Sequence, residues 1–256
     1  MSGYQAFLYR MASGIPGASS RNSAFTIEPG IISSVTPPTE YGIPLALDAD
    51  LNMRPIQGGD TAGSVQGFLA RAFPTNSGTD GIATATPPTS GACDVLKMGY
   101  MNVAVNRGTA AKGGKVYIRT IANASYPTTS VGDVEAEGDT PAPVATAKAG
   151  NTGNGTVGTL SGTSSTPVGN FTVVFTAATV FRVYDPSGVE RMDGATGTQY
   201  TTDDGLSFLI TAGGTAFAAG DSFTIAVTQN CFVLPNAFFT GPADSNGNSE
   251  IAYNIG

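Results

Sequence analysis

Two stretches of this chain alternate apolar and polar residues with a period of two, and no helical heptad appears anywhere. In FTVVFT the alternation puts Phe171, Val173 and Phe175 on one face. In DSFTIAVT it puts Phe223, Ile225 and Val227 on one face and Thr224, Ala226 and Thr228 on the other. That is the period of a half-buried strand. Thirty-two Thr against ten Leu agree, because β-branched side chains fit a pleated surface better than a helix. From Tyr41 onward, runs such as IPLAL, VQGFLARAF, VAV and KVYIRTI are each bounded by Gly, Pro, Asn or Asp, the spacing of an antiparallel sandwich or barrel. The predicted class is all-β.

Charge and residue type then bound the function. Twelve basic against nineteen acidic residues give a net charge of -7, which disfavours a surface that tracks phosphates, so nucleic acid is not an expected partner. Sparse charge suits a protein much of whose surface meets other subunits. The absence of His removes Ser-His-Asp and Cys-His catalysis and His-ligated metals. No apolar run approaches the length of a membrane span, and Arg10 follows the short apolar amino-terminal run where a secretory signal needs a basic residue before it. The expectation is a soluble product made in a cytoplasm, with no membrane partner. Cys93 and Cys231 make no disulfide framework and read as free thiols.

Three patterns imitate functional motifs. Gly153, Gly155 and Gly158 spell GxGxxG, but no helix follows to face a pyrophosphate, so a flexible turn is expected. Asp48, Asp50 and Asn52 open like a calcium loop, yet Met53 and Gly59 stand where Gly and Glu are needed; a polar turn between strands ending near Leu47 and starting near Met53 explains them. Asp133, Glu135, Glu137 and Asp139 alternate and are expected to share the solvated face of an edge strand. No catalytic residue, cofactor or metal is expected.

Residues 1–40 are rich in Pro, Ser and Gly and read as an arm or irregular wrap. Arg10, Arg21, Phe25, Ile31 and Ile32 are its candidate contacts with a partner or another subunit. Residues 74–91 read as a long loop. A composition shift near Ala147 opens a segment, residues 148–229, with nine charges, three basic and six acidic, and the cleanest strands. DPSG (Asp185 to Gly188) and TTDDG (Thr201 to Gly205) mark tight turns within it, and its Gly-rich entry, Gly150 to Gly158, is expected to act as a hinge.

Five stretches, in order, resemble the structural cement proteins that coat tailed-phage heads: NSAFTIEPGIISSVTPPTEYGIPLALD (Asn22 to Asp48), RPIQGGDTAGSVQGFLARAFPT (Arg54 to Thr75), CDVLKMGYMNVAVN (Cys93 to Asn106), GGKVYIRT (Gly113 to Thr120) and LPNAFFTGPADSNGNSEIAYNIG (Leu234 to Gly256). They cover more than a third of the chain. In similar proteins the segment like EGDTPAPVA runs almost directly into one like LPNAFFTGPAD, whereas here residues 148–229 intervene. The resemblance implies a discontinuous cement domain, barrel or jelly-roll-like, from residues 1–147 and 230–256, with a small β-sandwich module inserted at 148–229. It also implies a non-enzymatic decoration protein on the outer capsid surface. Its partners would be the major capsid protein and further copies of itself, as a homodimer or homotrimer. The rival reading is a receptor-binding or fibre-associated adhesive virion module.

Overall fold

The computed structural model describes residues 14–21, 25–71, 85–163 and 165–255. Among them the chain is all-β apart from one 3₁₀ turn at Ala62–Ser64. It divides into two compact units, Met1–Gly138 with Asn230–Gly256, and Asp139–Gln229.

The first unit holds β1 (Thr26–Ile32), β2 (Pro44–Leu47), β3 (Met53–Pro55), β4 (Gly67–Ala70), β5 (Gly91–Ala104), β6 (Lys115–Arg119) and β7 (Val134–Glu135), then β16 (Cys231–Phe239) and β17 (Asn248–Tyr253). The order β1-β3-β2-β4-β5 closes on itself because β1 also pairs with β5, giving a five-strand barrel. All its pairs are antiparallel except β1 with β3, which meet in parallel at Ile32 and Met53. A half-barrel, β5-β17-β16-β6-β7, continues from the same strand. The fourteen-residue β5 serves both: Gly91 to Met98 pair with β1, and Gly99 to Ala104 with β17. At the handover Gly99 has φ +139, and a Cβ there would lie 2.7 Å from the Cβ of Phe25. Only glycine permits that approach.

Period two also explains how this unit holds two cores. Phe68 and Ala70 of β4 join the larger one, with Leu96, Met101, Val116, Ile118 and Phe239. Leu69 points the other way, into a smaller core with Leu45, Met53 and Val95, one residue from each of four barrel strands. All four residues of β4 are buried, as in a strand covered on both faces.

The second unit contains β8 (Ala142–Ala147), β9 (Thr156–Ser161), β10 (Gly169–Phe175), β11 (Val180–Tyr184), β12 (Gly194–Ala195), β13 (Gln199–Thr201), β14 (Ser207–Thr211) and β15 (Ser222–Thr228). They form a five-stranded sheet, β12-β11-β10-β15-β8, and a three-stranded one, β13-β14-β9. Phe171, Val173, Phe175, Phe223, Ile225 and Val227 are buried together with Phe208 and Ile210 from the smaller sheet, so the two sheets share one core. Thr224 and Thr228 face outward, as the alternation predicts. The turns at Asp185–Gly188 and Thr202–Gly205 are closed by backbone hydrogen bonds of 2.9 and 3.0 Å. The composition shift near Ala147 falls inside this unit, at the end of β8, which pairs along β15 from Ala142 to Ala147.

Three expectations are corrected. Within the presumed arm, residues 26–32 are a regular strand, because β-branched Thr26, Ile27, Ile31 and Ile32 outweigh Pro29 on a strand whose second edge is paired only at Ile32. Residues 17–20 are stitched to β5 through Gly17 N to Asn102 O (2.8 Å), Asn102 N to Ala18 O (3.0 Å) and Ser20 N to Tyr100 O (3.1 Å). The Gly-rich entry to the second unit is no free hinge. The amides of Thr152 and Gly153 both donate to the Asp221 carboxylate at 2.8 Å, and the Asn151 side chain brackets the main chain of Ser222. The four alternating acids share no edge strand, since β7 is only two residues long and Glu135 is buried. Of the expected loop at 74–91, residues 74–84 lie outside the described residues.

Candidate functional site

The first unit buries one ion pair completely. Arg119 and Glu135, on neighbouring strands, are both fully buried and paired by two hydrogen bonds, one of them Nη2 to Oε2 at 2.9 Å. Arg107 approaches the same carboxylate at 3.6 Å, and its guanidinium lies 3.8 Å from the ring centre of Tyr126. This cluster ties the end of β6 to the loop before β7. Its charges are matched within the fold, and it is spent on structure.

The candidate contacts read from the sequence do not form one patch. Arg10 lies outside the described residues. Arg21 is engaged by Glu250, with Nε to Oε2 at 3.1 Å and a second hydrogen bond to Oε1, and its guanidinium sits 4.2 Å over the Tyr100 ring. Burial pushes the Glu250 carboxyl up, but hydrogen bonds from Arg21, Ser20 and Thr240 outweigh it and hold the group below its ordinary range. Phe25 (44 % exposed) and Ile31 (60 %) stand near opposite ends of β1, about 20 Å apart at strand rise. Ile32 is 2 % exposed, so its side chain is committed to the interior and leaves the set of surface contacts.

Sequence reasoning missed the two most exposed large apolar side chains among the described residues, Val35 (83 % exposed) and Leu51 (74 %). Val35 follows β1, and Leu51 sits on the turn from β2 to β3. That turn is the polar connection expected from Asp48, Asp50 and Asn52: Asp48 Oδ1 accepts from the amides of Asp50 (2.9 Å) and Asn52 (2.8 Å). Val35, Asp48, Ala49, Asp50 and Arg54 line one hollow of about 340 Å³. Arg54 is neutralised by a two-pronged pair with Asp60 at 2.7 and 3.0 Å. Hydrogen bonding from Ser33, then from the Asn52 and Asp50 amides, holds the Asp48 carboxyl below its ordinary range, so the hollow carries negative charge. The signal in the sequence was Leu51 itself, a large apolar residue in the middle of a polar turn.

On the second unit, Met192 (72 % exposed) separates two hollows of about 410 and 560 Å³. Their polar linings include Glu190, Asp193, Gln199 and Thr201. Tyr200 is buried behind them and donates to the Met192 carbonyl at 2.8 Å. Among the described residues no group of His, Cys, Asp and Glu has the arrangement of a metal site.

No curated protein matches the chain. Among solved structures, two crystal forms of FlgL from Xanthomonas campestris share 29 % and 27 % identity with it over 36 % and 42 % of its length, with TM-scores of 0.28 and 0.29. The chain spans 30 % and 37 % of those structures, and scores this low carry no structural argument. A family model does match nearly end to end, over residues 4–253, and takes in both units: the chain belongs to the XM1 gp53 minor capsid protein family and is a structural protein of a phage virion.

Proposed function

We propose that this protein is a capsid cement: it binds the outside of a phage head, stabilises junctions between major capsid protein subunits, and catalyses no reaction. The observation that carries the reading is the family match across residues 4–253. Large apolar side chains left on a sparsely charged surface support it, among them Ile31, Val35 and Leu51. A ligand that binds the assembled shell and not separated subunits stabilises the shell by mass action. Repetition over many equivalent sites multiplies a modest affinity. In this reading the first unit, with Asn230–Gly256 closing its half-barrel, grips the shell, and Asp139–Gln229 projects from it as an independently folding module. Copies associate as a homodimer or homotrimer at symmetry positions.

The test is the copy number in purified virions, with retention of purified protein by bare heads. Hundreds of copies per virion and saturable retention are expected. A handful of copies, with retention by host cells and not by heads, overturns the reading. That outcome would favour the second reading, an adhesive module. The paired hollows beside Met192 favour it, since Glu190, Asp193, Gln199 and Thr201 in their linings are able to bond hydroxyls.

A further inference from the structure

Among the described residues the chain builds the same five-residue hairpin loop four times. In each, the first residue donates its amide to the carbonyl of the fifth: Asp48 to Asn52 (2.8 Å), Asp185 to Val189 (2.9 Å), Thr202 to Leu206 (2.8 Å) and Asp244 to Asn248 (2.8 Å). In each, the amide of the fourth residue returns to the carbonyl of the first, at 2.9–3.1 Å. In each, the side-chain oxygen of the first residue accepts from the amide of the fifth, at 2.8–2.9 Å. The fourth residue must take positive φ, as in a three-residue hairpin loop that ends in a left-handed residue. Three loops put glycine there, Gly188 (φ +81), Gly205 (φ +88) and Gly247 (φ +78); the first puts Leu51, at φ +63.

That exception has no explanation within the fold. A left-handed leucine is strained, because its Cβ crowds the backbone where glycine has none. At 74 % exposure Leu51 returns little by burial within the chain. Backbone strain kept at a residue that faces solvent points to a contact outside the chain. Its surroundings say of what kind. The parallel register of Ile32 with Met53 brings outward-facing Ile31 level with the end of this loop, and Val35 lines the hollow shared with Asp48, Ala49 and Asp50. An apolar tip is thus flanked by two carboxylates, with the adjacent Arg54 already neutralised by Asp60.

We infer that Leu51, flanked by Val35 and Ile31, is an anchor that inserts into an apolar depression on another protein of the capsid, one rimmed by Lys or Arg side chains that face Asp48 and Asp50. The inference rests on the cement reading and names its docking surface. A buried apolar anchor supplies the affinity, and the opposed charges supply register and rate of encounter.

The test compares the full-length protein with its Leu51→Gly and Leu51→Asn variants on isolated heads assembled without this protein. Both variants suit a left-handed position, so each should melt within about 2 °C of wild type or higher. Both should nevertheless bind heads about tenfold more weakly. Asp50→Lys should slow association and abolish the weakening of wild-type binding by added salt. Heads that retain both Leu51 variants as tightly as wild type overturn the inference. So does a change of oligomeric state with head affinity unaltered, which would make the tip a contact between copies of this chain. Wild-type protein that fails to bind heads at all would instead sink the cement reading, and this inference with it.

Discussion

The side-chain amide of Gln229 donates to the main-chain carbonyl of Asp139 at 2.7 Å, joining the last residue of the second unit to its first. Beside it, Thr228 pairs with Ala142 across β15 and β8. The two places where the chain enters and leaves this unit therefore lie next to each other.

Replacing Asp139–Gln229 by a short Gly/Ser linker should accordingly leave the rest of the chain folded, because closing a short loop between neighbouring ends adds little entropy cost. Circular dichroism and a single cooperative melt are the expected results. The excised segment should also melt cooperatively by itself. A linker variant that is unfolded, or an excised segment without a melting transition, would refute independent folding.

Arg119 and Glu135 are each fully buried, so removing one strands the other's charge. Arg119→Met should destabilise the protein by about 3–5 kcal/mol. Adding Glu135→Leu should recover much of that loss, although Arg107 then loses a partner. Urea denaturation of the two single variants and the double variant measures the coupling. Additive single effects would mean the pair acts as two separate groups.

Gly153 and Gly155 let the Phe217 ring lie flat on the chain: an added Cβ would stand 2.4 Å from its Cδ1 at Gly153 and 2.6 Å from its Cε2 at Gly155. The ring also stacks on Phe175, with centroids 3.9 Å apart. Phe217→Ala should cost about 3–5 kcal/mol, and Gly153→Ala about 1–3 kcal/mol through overpacking. In the Phe217→Ala background the Gly153→Ala penalty should shrink without vanishing, because the ring atoms it strikes are gone while the Cα of residue 217, 2.7 Å from the added Cβ, remains. Equal penalties in both backgrounds would contradict this account of the glycines.

Amides of Ala218, Gly153 and Thr152 hold the Asp221 carboxyl below its ordinary range. A carboxyl whose folded pKa is depressed contributes stability above its unfolded value, near 4, and loses it as pH falls through the folded value. Asp221→Asn should thus lower the melting temperature at pH 7, and the gap to wild type should close as pH drops below about 4. A gap independent of pH would show that the charge is not what the amides hold.

How much was legible in the sequence depended on the range of the interaction. The inward faces of β10 and β15, the tight turns after Tyr184 and Thr201, and the turn at Asp48 are set by neighbours in sequence, and each stands where period and turn chemistry put it. Glu135 was misread because its partner, Arg119, lies sixteen residues away on another strand, and alternation cannot tell a solvated acid from one facing a buried guanidinium. Gly153 and Gly155 were misread for a similar reason: a glycine looks the same whether it frees the chain or admits a ring from residue 217. Ile31 and Ile32 are adjacent in the sequence and Phe25 stands shortly before them, but the pleat of β1 and the closure of the barrel send Ile32 inside and leave the other two near opposite ends of the strand. Leu51 stood in plain view; only the repeated loop geometry showed that its place is one for glycine.

The continuity of β5 has a mechanical consequence. Barrel and half-barrel share one unbroken backbone, so neither can slide along the other unless hydrogen bonds on both sides of Gly99 give way together. A pull along that strand would be resisted in shear, by many bonds at once, rather than peeled apart one bond at a time. Tension along β5 would then pass straight through the middle of this unit, as through a rivet.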